Sequence, residues 1–154
     1  MRTVQKEEIQ RVIVKRPMTS YKGDFGRLLL IGGTYPYGGA IIMAAIAAVH
    51  SGAGLVTVAT DPDNLTALHS HLPEAMGFDL ADHELLCEQV QKASVILVGP
   101  GLKESNENQG VLQMIFEQVS RHQVLILDGG AISLFATSQF DLPEAQLVFR
   151  SEER

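Results

Sequence analysis

Residues 27–54 constrain the fold more than any other stretch: an apolar run (Leu28, Leu29, Leu30, Ile31), a glycine loop, then the alanine-rich run AIIMAAIAAV over 40–49. The apolar run shows no polar alternation, the pattern of a parallel strand buried on both faces. Residues 40–49 are apolar on nearly every side, which predicts a buried helix rather than an amphipathic one, and Gly52 and Gly54 end it. In the loop, Gly32, Gly33, Gly38 and Gly39 permit positive φ and leave backbone N–H groups uncovered. The following helix presents its unpaired first-turn amides to the same place. Phosphate or another anion suits such a loop. The spacing is neither the G-x-G-x-x-G of dinucleotide-binding turns nor the G-x-x-x-x-G-K-[ST] of a P-loop. Two readings therefore stand, a ligand-binding turn and a glycine turn that joins strand to helix without a ligand.

The rest of the chain continues the alternation. Residues 3–13 place Val4, Ile9, Val12 and Ile13 at helical spacing, and Pro17 bars a longer helix. Residues 20–27 have the chemistry of a turn, flanked by Lys22 and Arg27, which are read as solvated. LVTVAT over 55–60 is a β-branched strand, and Asp61 before Pro62 is the cap or turn residue of a helix over 64–71. A helix over 83–92 precedes the strand SVILV at 94–98, read like the first as buried. An amphipathic helix over 106–122, a strand over 123–127, a helix over 131–136 and a strand beginning at 146–149 complete the series. Strands alternating with helices call for an α/β fold in one domain across 1–154: a parallel sheet with right-handed crossovers and helices on both faces, a three-layer sandwich.

Composition narrows the function classes. With 45% hydrophobic and 19% charged residues the chain is globular, and a net charge of -6 without any Lys/Arg run argues against a nucleic-acid or anionic-membrane surface. No apolar run is long enough to span a membrane. The single Cys87 excludes an internal disulfide framework and, with an N-terminus unlike a signal peptide, points to the cytoplasm. Cys87 has no basic neighbour in its segment and is read as a packing residue. His69 and His71 point in different directions on a helix, so no metal site is expected there. His50 and His122 are read as structural.

The carboxyl ends of parallel strands are where ligands bind in open α/β sheets. Two further features fall there: the turn Gly99, Pro100, Gly101, and Asp128 at the end of its strand. Asp128 reads either as a rigidly held carboxylate at the mouth of the sheet or as the cap of the helix over 131–136. Pro73 and Glu74 lie in a connection expected to emerge at a strand edge.

The string KGDFGRLLLIGGTYPYGGAIIMAAIAAVHSGAGLVTVAT, with LPEAM, VGPGL and LDGGAISLF following in order, resembles the carbohydrate-kinase-like domain of the ADP- or ATP-dependent NAD(P)H-hydrate dehydratases, a domain similar to the ribokinase fold. The resemblance runs from Tyr21 to Phe149. It implies repair of NADH or NADPH hydrated on the nicotinamide ring: phosphoryl transfer to the ring hydroxyl, then elimination. It also implies that Gly39, Ala40, Gly99 and Gly101 line the hydrated-dinucleotide site, that Glu74 and Asp128 are its matching acids, and that ADP or ATP with Mg serves the full-length family. Tyr21 stands where the family has His. In place of the family's Thr-Pro-His-Pro-Gly-Glu segment and nucleotide-binding half the chain has RSEER. The expectation is therefore the N-terminal, substrate-side half of a ribokinase-like fold, truncated and inactive alone. The other expectation is a non-catalytic nucleotide-binding or oligomer-assembly module in which a partner chain covers the edge left open, and a homo-oligomer is the expected state.

Overall fold

The structure is a computed structural model that describes residues 3, 5–12 and 15–150. Helix α1 spans Lys6–Val12, while Val4 and Ile13, expected in the same helix, lie outside the described residues. A 3-10 turn, Lys22–Phe25, leads into β1 (Arg27–Ile31), and α2 (Gly38–His50) follows the glycine loop. Next come β2 (Leu55–Thr60), α3 (Leu65–His71), β3 (Met76–Asp79), α4 (His83–Lys92) and β4 (Val95–Val98). The series closes with α5 (Asn106–Gln118), β5 (Val124–Asp128), α6 (Gly130–Thr137) and β6 (Gln146–Arg150). Among the described residues no helix is long and apolar enough to cross a membrane.

The six strands form one sheet in the order β3-β2-β1-β4-β5-β6, and every neighbouring pair is parallel. Strand β3 was not legible in the sequence. It has four residues, Met-Gly-Phe-Asp, and a strand-weakening glycine. Pairing with β2 creates it, with Thr57 beside Met76 and Thr60 beside Asp79. Gly77 lets the Leu65 and Leu68 side chains of α3 pack against its bare backbone.

Two apolar cores flank the sheet. On one face α4, α5 and α6 pack Leu86, Val90, Leu112, Ile115 and Leu134 against Ile31, Ile96, Val98, Leu125 and Leu127. On the other, α2 and α3 pack Ile41, Ala45, Leu68 and Leu72 against Leu30, Val56 and Val58. At about 1.5–3 kcal/mol for each large aliphatic side chain fully buried, these contacts drive the fold. Buried Gln123 is fully used: its amide donates to the carbonyls of Val90 (2.6 Å) and Ala93 (2.7 Å), and its oxygen accepts from the Ser120 N–H (2.7 Å). Holding Ser120 this way turns the chain out of α5, which therefore stops at Gln118 instead of reaching His122.

The expectation of strands buried on both faces holds only in part. β2 is buried along nearly its whole length, but β4 and β5 alternate between buried and half-buried residues. Helices thus cover both faces over β1 and β2, a three-layer arrangement, and among the described residues only one face over β4 to β6. α2 also departs from the buried helix expected: Ile41 and Ala45 are inaccessible, yet Met43 on the open side is 67% exposed.

Candidate functional site at the carboxyl edge

In this strand order the topological switch lies between β1 and β4, because the chain winds outward from β1 in one direction and from β4 in the other. The loops after these two strands are joined by hydrogen bonds. The N–H of Gly33 donates to the Pro100 carbonyl and that of Thr34 to the Gly101 carbonyl, both at 2.9 Å. The Thr34 hydroxyl donates to the same Gly101 carbonyl at 3.1 Å and accepts from the Lys103 N–H at 2.7 Å. From the β2 side, the Asn64 amide donates to the Gly33 carbonyl and to the Thr60 hydroxyl. Thr34 and Asn64 therefore set the site's frame. Sequence reading missed both, because their partners lie far along the chain. Thr34→Val keeps the side-chain shape and strands the Lys103 N–H. It is expected to cost about 1–2 kcal/mol in chemical denaturation.

The start of α2 rests on this frame. Its N-cap, Tyr37, makes no side-chain cap, so the first-turn amides are not closed off by a side chain. Gly39 is exposed, with no atom within 4 Å of where a Cβ would stand. Gly101, at φ +66°, lies against the Tyr37 carbonyl, and a Cβ there would overlap it. This contact brings the β4 turn up to the start of α2. Gly99, at φ +124°, is buried beneath the turn, where a Cβ would run into the Asp128 carbonyl.

A groove of about 1020 Å³ opens from this edge, and Ala40, Gly101, Asp128 and Arg150 line it. The structure thus gathers Ala40, Gly101 and Asp128 on one rim with Gly39 adjacent, and sets Gly99 under them as a packing position. It separates Glu74, which precedes Met76 in a turn at the amino end of β3, on the opposite edge of the parallel sheet. Of the two readings of Asp128, the cap is ruled out, because the N-cap of α6 is Gly129 and carries no side-chain cap. Its carboxylate instead accepts from Arg150 Nη1 at 3.2 and 2.9 Å. With Arg150 56% exposed, such a pair contributes about 0–1 kcal/mol.

A second, polar cleft of about 430 Å³ is lined by Asp61, Asp79, His83 and Lys103. Its acids have local duties: Asp61 accepts from the Asp63 N–H at 3.0 Å, as a cap, and Asp79 from the Ala81 N–H at 2.9 Å. Among the described residues no group of three His, Cys, Asp or Glu side chains could hold a metal ion. Asp128, the acid at the groove's rim, is paired with Arg150.

A parallel sheet with glycine turns at its switch point and an uncapped helix start beside them defines an open α/β protein, a class in which ligands sit at the carboxyl edge. Residues 28–150 match the family described as NAD(P)H-hydrate dehydratase (Carb_kinase), and the chain belongs to that family. It is 50% identical over 154 residues to the ADP-dependent (S)-NAD(P)H-hydrate dehydratase of Streptococcus pneumoniae, covering 100% of this chain and 53% of that protein. A ribokinase-like superfamily protein from Enterococcus faecalis superposes with a TM-score of 0.87 at 45% identity, covering 95% of this chain and 52% of that one. An ADP/ATP-dependent NAD(P)H-hydrate dehydratase from Bacillus subtilis, co-crystallized with ATP/Mg2+, shares the fold, with a TM-score of 0.71 at 23% identity, covering 94% of this chain and 50% of that one. The chain spans about half the length of the curated relatives it matches.

Proposed function

We propose that this chain is the substrate-binding half of an ADP- or ATP-dependent NAD(P)H-hydrate dehydratase, that its ligand is hydrated NADH or NADPH, and that it binds this ligand without turning it over alone. The observation that carries the reading is the rim formed by Gly39, Ala40 and Gly101, where an open, uncapped helix start faces a turn held at contact distance. An uncapped helix N-terminus suits the phosphates of a dinucleotide. Asp128, at the end of β5, shares the rim. Phosphoryl transfer needs a cradle for the donor phosphates and usually a metal, and the described residues supply no metal-holding group of three. A cytoplasmic location is part of this proposal and accords with the lone thiol, Cys87.

Isothermal titration with hydrated NADH and hydrated NADPH tests the reading. Saturable binding by the unaltered chain is expected, and Gly39→Val should weaken it at least tenfold, about 1.4 kcal/mol, with thermal stability preserved, because a Cβ at Gly39 meets nothing. Absence of binding, or equal binding by the variant, overturns the site. Turnover by the unaltered chain with ADP or ATP overturns the restriction to binding.

A further inference from the structure

The aromatic side chains divide by chemistry and by place. Phe116, Phe135 and Phe140 pack on one another at the core of α5 and α6, with ring centroids 5.2 to 6.3 Å apart. The three tyrosines are all exposed, and two of them, Tyr35 at 78% and Tyr37 at 58%, belong to the turn 34–37 between β1 and α2. The backbone of that turn is fixed. The Thr34 carbonyl accepts from the Tyr37 N–H at 2.7 Å, and the Tyr37 carbonyl accepts from the Ala40 N–H at 3.3 Å. A Cβ at Gly101 would stand 3.1 Å from that of Tyr37. The two rings, by contrast, lie open: among the described residues neither tyrosine makes a side-chain hydrogen bond or a ring contact. Tyrosine presents a flat apolar face with only two side-chain torsions to fix, which suits it to receive a ring.

We propose that Tyr35 and Tyr37 form the stacking platform for the adenine of the hydrated dinucleotide, which leaves the hydrated ring to the groove between Ala40 and Asp128. The inference rests on the substrate reading above and adds to it the orientation of the ligand. Tyr37 and Ala40 flank the open start of α2, and Ala40 lines the groove. A pyrophosphate on the first-turn amides therefore has one nucleoside on the tyrosine side and the other on the groove side. The chemistry of the two rings decides which is which. Adenine is planar and aromatic, and stacking on aromatic side chains holds a base firmly without reading its edges. Hydration removes a double bond from the reduced nicotinamide ring and puts tetrahedral carbons in its place, so that ring is puckered and carries a hydroxyl. It stacks poorly. It suits the groove instead, whose lining sets aliphatic side chains beside Ser133 and Asp128.

Isothermal titration with three ligands tests the orientation: hydrated NADH; ADP-ribose, which keeps the adenine and the pyrophosphate but lacks the nicotinamide; and hydrated reduced nicotinamide mononucleotide, which lacks the adenine. Tyr35→Leu and Tyr37→Leu should each weaken hydrated NADH and ADP-ribose at least about fivefold and leave the mononucleotide unaffected. Tyr37→Phe, which keeps the ring, should recover the affinity that Tyr37→Leu loses. A spectroscopic reading separates stacking from a structural effect. The chain has no tryptophan, and Tyr21 lies before β1, away from the carboxyl edge. In Tyr21→Phe all tyrosine emission therefore comes from the platform, and ADP-ribose should quench it. Leucine variants that bind hydrated NADH as the unaltered chain does, a loss confined to the mononucleotide, or ADP-ribose bound without quenching would each overturn the platform and leave the substrate reading standing. ADP-ribose bound with the expected losses, but hydrated NADH not bound, overturns the substrate reading and keeps the platform as an adenine site. Binding of neither overturns both.

Discussion

Gly101→Val is expected to lose both stability and hydrated-dinucleotide binding. Gly101 sits at φ +66°, and its missing Cβ is the space taken by the Tyr37 carbonyl. A β-branched side chain there adds backbone strain of about 1–3 kcal/mol to a clash with backbone that can relax only by moving the start of α2. The paired loops would part, because the Gly101 carbonyl accepts from both the N–H and the hydroxyl of Thr34. Thermal denaturation should show a loss of about 3 kcal/mol, near 10 °C for a chain of this size. Titration with hydrated NADH should show no saturable binding at a temperature where the variant is still folded. A stable variant that binds normally would remove Gly101 from the site.

The second large effect contrasts two neighbours. Leu125 and Ile126 are consecutive on β5, yet Leu125 is inaccessible in the core beneath α5 while Ile126 lines the open groove. Leu125→Ala is expected to cost about 3–4 kcal/mol, the ordinary range for a buried aliphatic that leaves a cavity. Ile126→Ala should cost about 1 kcal/mol, since most of what it loses is contact with solvent-facing neighbours. Urea denaturation of the two variants, read as a shift in midpoint with unchanged slope, decides it. Equal losses would mean that something already covers that face of β5 in solution.

Much of the fold was legible along the chain. Residues 28–31, 55–60 and 94–98 announce strands by unbroken apolar or β-branched runs, and each lies within a residue of the observed element. Asp61 before Pro62 announced a cap, and its carboxylate does accept from the Asp63 N–H. What was not legible depended on partners distant in sequence. β3 exists because β2 offers its edge, and α5 ends early because Gln123 claims Ser120. The glycines at 39, 99 and 101 look alike as letters. Only packing shows that Gly39 faces open space, Gly101 receives a carbonyl and Gly99 is sealed beneath the rim.

By itself the sequence determined the fold class and the placing of glycine turns at the carboxyl ends of the strands, since both follow from local causes: apolar periodicity, β-branched runs, and glycines where strand ends turn into helices. The tertiary structure decided which strand ends meet, and so which residues share a rim. It joined Ala40, Gly101 and Asp128, left Glu74 on the opposite edge, and set Arg150 against Asp128. It also decided that one face over β4 to β6 lies uncovered among the described residues. An apolar strand residue reads as buried whatever covers it, because periodicity records that water is to be excluded and carries no information about the element that excludes it.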